Sequence, residues 1–308
     1  MTHPYATRKY AEITAGPNDI VAELPEWNQF LIHRSLSCFS NNSGVDASGC
    51  YPVTPFDETV DLDAGLESLR AEGCVSVVLV VDPVSRPSDG QLADSFDVCR
   101  PFKTHYLYNR RKSDARYSKH HRYELRRARA EVEKIDLSDY LDDWVRLYQG
   151  LILRHGITGA AAFSDKALCA TAAIEELVTF GAFVGDRMVG CHLWFRDGDS
   201  VHSHLAVSDA TGRNSGSAYL LYDKAIRYFD QAETIDFGGA AGLDDDPHNG
   251  LARFKRGFSN ETAPSYLCGK ILDRQRYAQL CLDEGVTEGS DYFPAYRTPA
   301  QLTAARVR

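Results

Sequence analysis

Lys255, preceded by Phe254 and flanked by Arg253 and Arg256, is the residue of this chain best placed to do chemistry. It follows Asp236-Phe237-Gly238-Gly239, where a short apolar strand (Thr234 to Phe237) runs into paired glycines. Two adjacent glycines after a strand allow a close backbone approach or a positive φ. A fixed cation on the next element can stabilise the oxyanion that forms when an amine attacks an acyl carbonyl. Asp236, at the strand end, is placed either to orient that amine or to cap the following turn. Arg253 is placed to meet a phosphate or is simply solvated. A strand, a turn and a surface lysine is the plainer account, but the order and spacing of the pieces favour the chemical one.

A second constellation is Thr211-Gly212-Arg213-Asn214-Ser215-Gly216-Ser217-Ala218, between a strand and a helix. Small residues there let backbone N–H groups face an anion, and the helix N-terminus adds its partial positive charge. A plain helix start capped by Ser215 or Ser217 fits the same residues. His192, His202 and His204 lie on neighbouring strands, and His202 and His204, two apart, face the same side. Three histidines are a conceivable zinc site, but no carboxylate or Cys has supporting spacing, so no metal is expected. One His acting as general base is the more economical role, and His204, nearest the glycine loop, is the choice. Hydrogen-bonded structural histidines are the alternative. His155, beside Arg154 at a helix end, is a candidate substrate contact, although a cation there is favourable on dipole grounds alone.

These groups need a scaffold, and 308 residues are long for one core and comfortable for two domains. The 44% hydrophobic and 25% charged fractions are those of an ordinary globular protein. No run approaches the roughly 20 apolar residues that span a bilayer. Met1-Thr2-His3-Pro4-Tyr5 is not followed by the apolar stretch of a signal peptide. The eight cysteines form no CxxC pair, which argues against a zinc ribbon or a thioredoxin-type site. With no export signal, a cytoplasmic protein with reduced thiols is expected. The net charge of −9 is uneven: Arg100 to Lys134 holds twelve Lys and Arg against four Asp and Glu. Such a segment can steer a polyanion such as RNA or a diphosphate, with Arg122 and Arg126 as contacts and Lys119-His120-His121-Arg122 as a compact cluster. It also fits a solvated helix face.

The element order follows from periodicity. Asn41 to Gly44 and Asp46 to Gly49 carry loop signals, and the prolines make Tyr51 to Phe56 extended. Leu62 to Glu72 is a helix that Gly73 ends, and Cys74 to Val81 is a buried strand. A strand follows at Phe102 to Tyr108, then a basic helix from Lys119 to Val132. A helix from Leu137 to Arg154 is capped by Ser138, and Ser164 caps another that reaches Thr179. Strands follow at Gly181 to Gly185, Met188 to Phe195 and Val201 to Val207. A helix from Ser217 to Gln231, the Thr234 strand, the short Lys255 helix and a strand from Pro264 to Ile271 complete the order. In the tail, Tyr292, Phe293 and Tyr296 are packing anchors.

With this order, the Asp236–Gly239 and Phe254-Lys255 signature resembles the FemABX-type aminoacyltransferases, which are built from domains of the GNAT acyltransferase fold. The resemblance covers residues 115 to 272 well and the first 110 only in general order. It implies an α/β (α+β) fold of tandem GNAT-like domains, each with a mixed central sheet flanked by helices. Residues 1–112 would be a degenerate N-terminal copy and 113–308 the C-terminal copy, joined near Arg110-Arg111-Lys112-Ser113. The long helical insertion of some family members is missing. The resemblance implies an enzyme that forms an amide or peptide bond, moving an amino acid from aminoacyl-tRNA to the amine of a peptidoglycan precursor, a small peptide or an amino sugar. Lys255 and Phe254 would sit at the acyl-donor end with Gly238 and Gly239 beside them, and no cofactor would be tightly bound. Arg213, Gly216 and Ala218 also match the pyrophosphate pattern of CoA-dependent GNAT enzymes (Arg or Gln, two residues, Gly, one residue, Gly or Ala). That match leaves open an acyl-CoA donor and N-acylation of a sugar, peptide or small amine. A non-catalytic binding module for peptide or RNA is the third reading. Neither a DNA partner nor a membrane span is expected.

Overall fold

The computed structural model describes residues 2–39, 44–112, 117–240, 246, 248–289 and 291–298. The chain divides into two compact units, residues 5–102 with 265–308 and residues 1–4 with 103–264. The expected division at residue 112 therefore shifts, and the C-terminal segment groups with the N-terminal residues. Sheet pairing is the reason, because residues 266–271 pair with residues 76–81.

The first unit contains α1 (Arg8–Thr14), β1 (Ile20–Leu24), β2 (Gln29–Ser35), β3 (Val45–Ser48), α2 (Leu62–Ala71), β4 (Cys74–Val81) and α3 (Asp89–Ser95). In α2 the Asp61 carboxylate accepts from the Ala64 N–H, Leu62, Leu66 and Leu69 are buried, and Gly73 at φ 79° follows. The apolar run Cys74–Val81 is β4, as its β-branched composition predicts, with β3 parallel to it on one side. The segment expected as a loop at Asp46 to Gly49 is mostly strand β3, because the buried Asp46 carboxylate is satisfied by Arg34, Tyr296 and Arg297. Of the three tail anchors, Phe293 and Tyr296 join a core with Phe39, Val75 and Tyr277, whereas Tyr292 stays exposed.

The second unit begins in β5 (Val98–Asn109) and continues through α4 (Lys119–Arg127), β6 (Glu131–Ile135), α5 (Leu141–His155), α6 (Asp165–Thr171), β7 (Leu177–Val184), β8 (Arg187–Asp197) and β9 (Ser200–Ser208). It then runs through α7 (Ala210–Asn214), α8 (Ser217–Tyr228), β10 (Thr234–Asp236) and α9 (Gly250–Arg256). β11 (Glu261–Ile271) carries the chain back to the first unit, where Tyr266 to Ile271 pair antiparallel with β4 before α10 (Arg274–Asp283). The strands of the second unit lie in the order β5-β10-β9-β8-β7-β6. All neighbours are antiparallel except β9 and β10. A parallel pair needs a crossover, and α7 and α8 supply it. The buried face of α8, Leu221, Tyr222, Ala225 and Ile226, packs with Phe180, Val189, Trp194, Phe237 and Phe258.

Among the element boundaries that differ from expectation, three bear on the charged segments and helix caps. The basic helix stops at Arg127, and residues 131–135 form an edge strand against β7 instead of continuing to Val132 as helix. The run of charges there carries no apolar stripe at helical spacing, and exposed Glu131, Glu133 and Lys134 suit a sheet edge. Leu137–Tyr140 is a 3-10 turn capped by Asp136, not Ser138. Ser164 does cap α6, but that helix ends at Thr171, well short of Thr179.

Candidate active site

The site is built at the end of β10. This three-residue strand is gripped by antiparallel β5 on one side and parallel β9 on the other, with Ile235 fully buried. Asp236 pairs with His202 at the last rung of the parallel ladder. Beyond it the two strands part. Phe237 N–H donates to the Tyr106 carbonyl of β5 at 2.9 Å, whereas β9 continues to Ser208 along β8. The pairing of β9 with β8 shifts register between Leu193 and Trp194, an irregularity of the kind that re-aims side chains beside active sites.

Into this opening the chain places four buried polar groups: His105, His202, Asp236 and Lys255. The Asp236 carboxylate takes His105 Nδ1 at 2.7 Å on one oxygen, with His202 Nδ1 3.8 Å from the same oxygen. Its other oxygen accepts the Gly238 N–H at 2.7 Å. Gly238 adopts φ 75°, and a Cβ there would lie 3.3 Å from the Lys255 ammonium. That ammonium donates to the Gly239 carbonyl at 2.7 Å. The paired glycines thus turn the chain out of the strand and hand a carbonyl to the lysine. Helix α9, started by the Asn249 side chain on Leu251 N–H, carries Lys255. Its far end is held by buried His121 of α4, whose Nε2 lies 2.7 Å from the Phe254 carbonyl.

The charges shape one another. Burial alone would raise the Asp236 carboxyl, but the His105 charge with the hydrogen bonds from His105 and His202 outweighs it and holds the group well below the usual carboxylate range. Burial brings the Lys255 ammonium down to about 8, against an opposing pull from Asp236. The arrangement offers a cation for a developing oxyanion, together with a carboxylate-bound imidazole.

Comparison with known proteins finds a family over this part of the chain. Residues 105–256 match the family model for the acetyltransferase (GNAT) domain, a span that opens on His105 and closes just past Lys255. Residues 105–256 form a GNAT acyltransferase domain. No curated protein sequence matches the chain. Among solved structures, FemX is similar at TM-score 0.62 and 13% identity, covering 90% of this chain and 95% of that one. The C-terminal domain (DUF2156) of a protein described as a lysylphosphatidylglycerol synthetase from Agrobacterium fabrum is similar at TM-score 0.58 and 14% identity, covering 89% and 90%. L-PGS from Bacillus licheniformis is similar at TM-score 0.57 and 10% identity, again covering 89% and 90%.

Within the GNAT domain the sequence candidates separate. Lys255, Asp236, Gly238 and Gly239 come together as described. Phe254 is instead a packing residue, its ring set among His121, Tyr219, Tyr222 and Phe258. The three histidines do not converge. His192 Nε2 meets Ser203 Oγ at 2.8 Å, on the opposite side of β9 from His202 and His204. Burial, then Lys255 and His204, hold His192 far below the usual imidazole range. The His204 ring lies tilted against Phe195, 4.7 Å between centroids, and burial brings it down to about 3, too weak for a base that works near neutral pH. The sequence reading missed His105, because its partner is 131 residues away and only the β5–β10 pairing brings them together.

The Arg213 loop is not an open cradle. Arg213 is exposed and donates to the Ser208 carbonyl at 3.0 Å. Gly216, at φ 74°, precedes α8, and a Cβ there would strike Ala128 at 2.8 Å. The Arg129 N–H bonds the Ser215 carbonyl at 2.8 Å, so main chain before β6 lies over this turn. Ala218 begins the half-buried flank of α8.

The basic contacts lie apart from Lys255. Arg126 and Arg253 are exposed, and His155 accepts from Arg154 at the end of α5. Arg122 donates to the Tyr117 carbonyl and borders an open groove of about 640 Å³ lined also by Tyr108, Arg110 and Arg227. Arg110 is bound to the carbonyls of Ile226, Phe229 and Ala232 at the end of α8. His121 does not meet phosphate, because both its ring nitrogens are used within the domain. In the other unit, His33 Nε2 lies 3.8 Å from both Cys74 Sγ and Glu72 Oε2, and burial holds the imidazole below its usual range against the pull of Glu72 and Asp46.

Proposed function

We propose that this protein transfers an aminoacyl group from aminoacyl-tRNA to an amine, forming an amide bond. The acceptor class is a peptidoglycan precursor, a small peptide or an amino sugar. The observation that carries the reading is the buried Lys255 ammonium fixed on the Gly239 carbonyl where β9 and β10 part. An acyl carbonyl entering between those strands meets a positive charge already in place, and such preorganised charge is a large contributor to acyl-transfer catalysis. No covalent enzyme intermediate is needed. The FemABX-type signature and the fold likeness to FemX support an aminoacyl donor. The main chain packed over Gly216 favours that donor over acyl-CoA. The N-terminal unit reads as a degenerate second copy of the fold, and the surroundings of the acyl-transfer step as cytoplasmic.

The test supplies purified protein with charged tRNA, uncharged tRNA and acetyl-CoA in turn. Selective binding of charged tRNA, with transfer to an amine that Lys255→Ala abolishes, is the expected result. Micromolar acetyl-CoA binding without tRNA binding would move the protein to the CoA-dependent class. Transfer by neither donor would leave a binding module.

A further inference from the structure

We infer that His105, oriented by Asp236, takes the proton from the attacking acceptor amine. The inference rests on the acyl-transfer reading above and adds to it the group that moves the proton. A carboxylate only accepts hydrogen bonds, so the nitrogen facing Asp236, Nδ1 at 2.7 Å, carries the hydrogen. In the neutral ring that leaves the lone pair on Nε2. Nε2 makes no hydrogen bond among the described residues, nor is it sealed away as His192 Nδ1 is.

The carboxylate is itself anchored, since its second oxygen accepts the Gly238 N–H. It can therefore hold the ring in one orientation and balance the imidazolium that forms when Nε2 accepts a proton, the role a carboxylate plays behind a histidine base. Each other buried group near the pair is spoken for or of the wrong kind. Lys255 on α9 is bound to the Gly239 carbonyl. His202 on β9 shares the Asp236 oxygen and packs edge-on against His3, at 4.6 Å between centroids. Lys103 on β5 lays its stem along Gly239 and offers no lone pair while charged.

The step balances without a co-reactant. The amine nitrogen attacks the acyl carbon, a C–N bond forms, and the carbonyl electrons move to the oxygen beside Lys255. The surplus amine proton passes to His105 Nε2. Collapse of the intermediate re-forms the carbonyl and breaks the C–O bond to the donor, whose oxygen takes that proton. His105 ends as it began.

The test compares two acceptors for the intact protein, charged tRNA being the donor and acetyl-CoA a parallel one. Hydroxylamine is uncharged at neutral pH and its adduct is acidic enough to shed the surplus proton to water, whereas glycinamide is largely an ammonium there and its adduct needs a base to take the proton. His105→Asn keeps a donor toward Asp236 and removes the base. It should slow transfer to glycinamide about 10²-fold and abolish the acid limb of the pH–rate profile, while leaving hydroxamate formation above the enzyme-free rate within about threefold of wild type. Equal losses with both acceptors would reduce His105 to a structural residue and overturn the inference. So would nitrogen NMR of the wild-type ring showing the hydrogen on Nε2. Wild-type protein that acylates neither acceptor from either donor overturns the acyl-transfer reading itself, and the role falls with it.

Discussion

Two turns of the GNAT domain look equivalent in sequence, each a strand followed by glycines and a basic residue. They differ in what they bury. At Gly238-Gly239 the turn gathers a carboxylate, two imidazoles and an ammonium, all nearly inaccessible to water. At Arg213–Ala218 the arginine is exposed, bonded to a neighbouring carbonyl, and the glycine admits the Ala128 main chain. Removing a charge from water costs several kcal/mol per ion even after relaxation. A fold that bears that cost at one turn and not at the other marks the first as the place where charge is used. The second turn shows that a loose spacing pattern can be met by packing.

The sharpest way to break this comparison is to remove the ammonium. Lys255→Ala is predicted to lower kcat by about 10²–10³ with KM nearly unchanged, the size expected for one preorganised oxyanion donor. Loss confined to KM would mean that Lys255 only binds substrate. The buried ammonium, at about 8, also predicts that activity falls as pH rises through that value.

The carboxylate comes next. Asp236→Asn removes the carboxylate that His105 and His202 face and the counter-charge of the buried Lys255 ammonium, and should cost about 3–5 kcal/mol in denaturant unfolding, besides slowing turnover. A change below about 1 kcal/mol would show that the cluster is not the coupled unit the distances describe. Lys255→Met tests the same network with the opposite sign. The folded-state value of about 8 lies below the 10.5 of an ordinary lysine, so the unfolded chain binds more protons between the two. The folded state is therefore penalised at neutral pH and relieved as pH rises through 8 toward 10.5. At pH 7 the methionine variant should be inactive yet more stable, by up to about 3 kcal/mol. Lower stability at that pH would contradict the burial argument.

What the sequence made legible follows the range of the interactions. The β-branched run Cys74–Val81 and the strand–glycine–helix order around Lys255 are local, and the structure reproduces them. The aspartate-bound histidine was not legible, because no pattern within a window of β5 announces a carboxylate 131 residues later. The choice of His204 failed for a related reason. Proximity to a glycine loop along the chain says nothing of Phe195, against which its ring is buried. The overrun of α4 had another cause: a charge-rich stretch without an apolar stripe does not distinguish a helix face from an edge strand.

The glycine itself gives a smaller test. Gly238→Ala forces a side chain to a left-handed φ and brings a methyl to 3.3 Å from the Lys255 ammonium. A cost of about 1–2 kcal/mol is expected, with a drop in kcat as the ammonium shifts off the Gly239 carbonyl. Unchanged activity would mean that the lysine does not depend on this turn.

The smallest effect is predicted at the turn that resembles a diphosphate site. Gly216 is unsuitable for the test, since any side chain there is strained by φ and by Ala128 and would report on folding. Arg213 is suitable, because its guanidinium is exposed and, among the described residues, donates to the Ser208 carbonyl at the end of β9. If the donor were acyl-CoA, removing this charge would cost a phosphate contact and weaken donor binding tenfold or more. With aminoacyl-tRNA as donor, Arg213→Ala should change kcat/KM by less than about threefold, comparable to loss of an exposed surface interaction. A tenfold rise in KM for acetyl-CoA at measurable turnover would reverse the ranking of the two turns. It would show that an exposed loop selects the donor while the buried cluster serves only the chemical step.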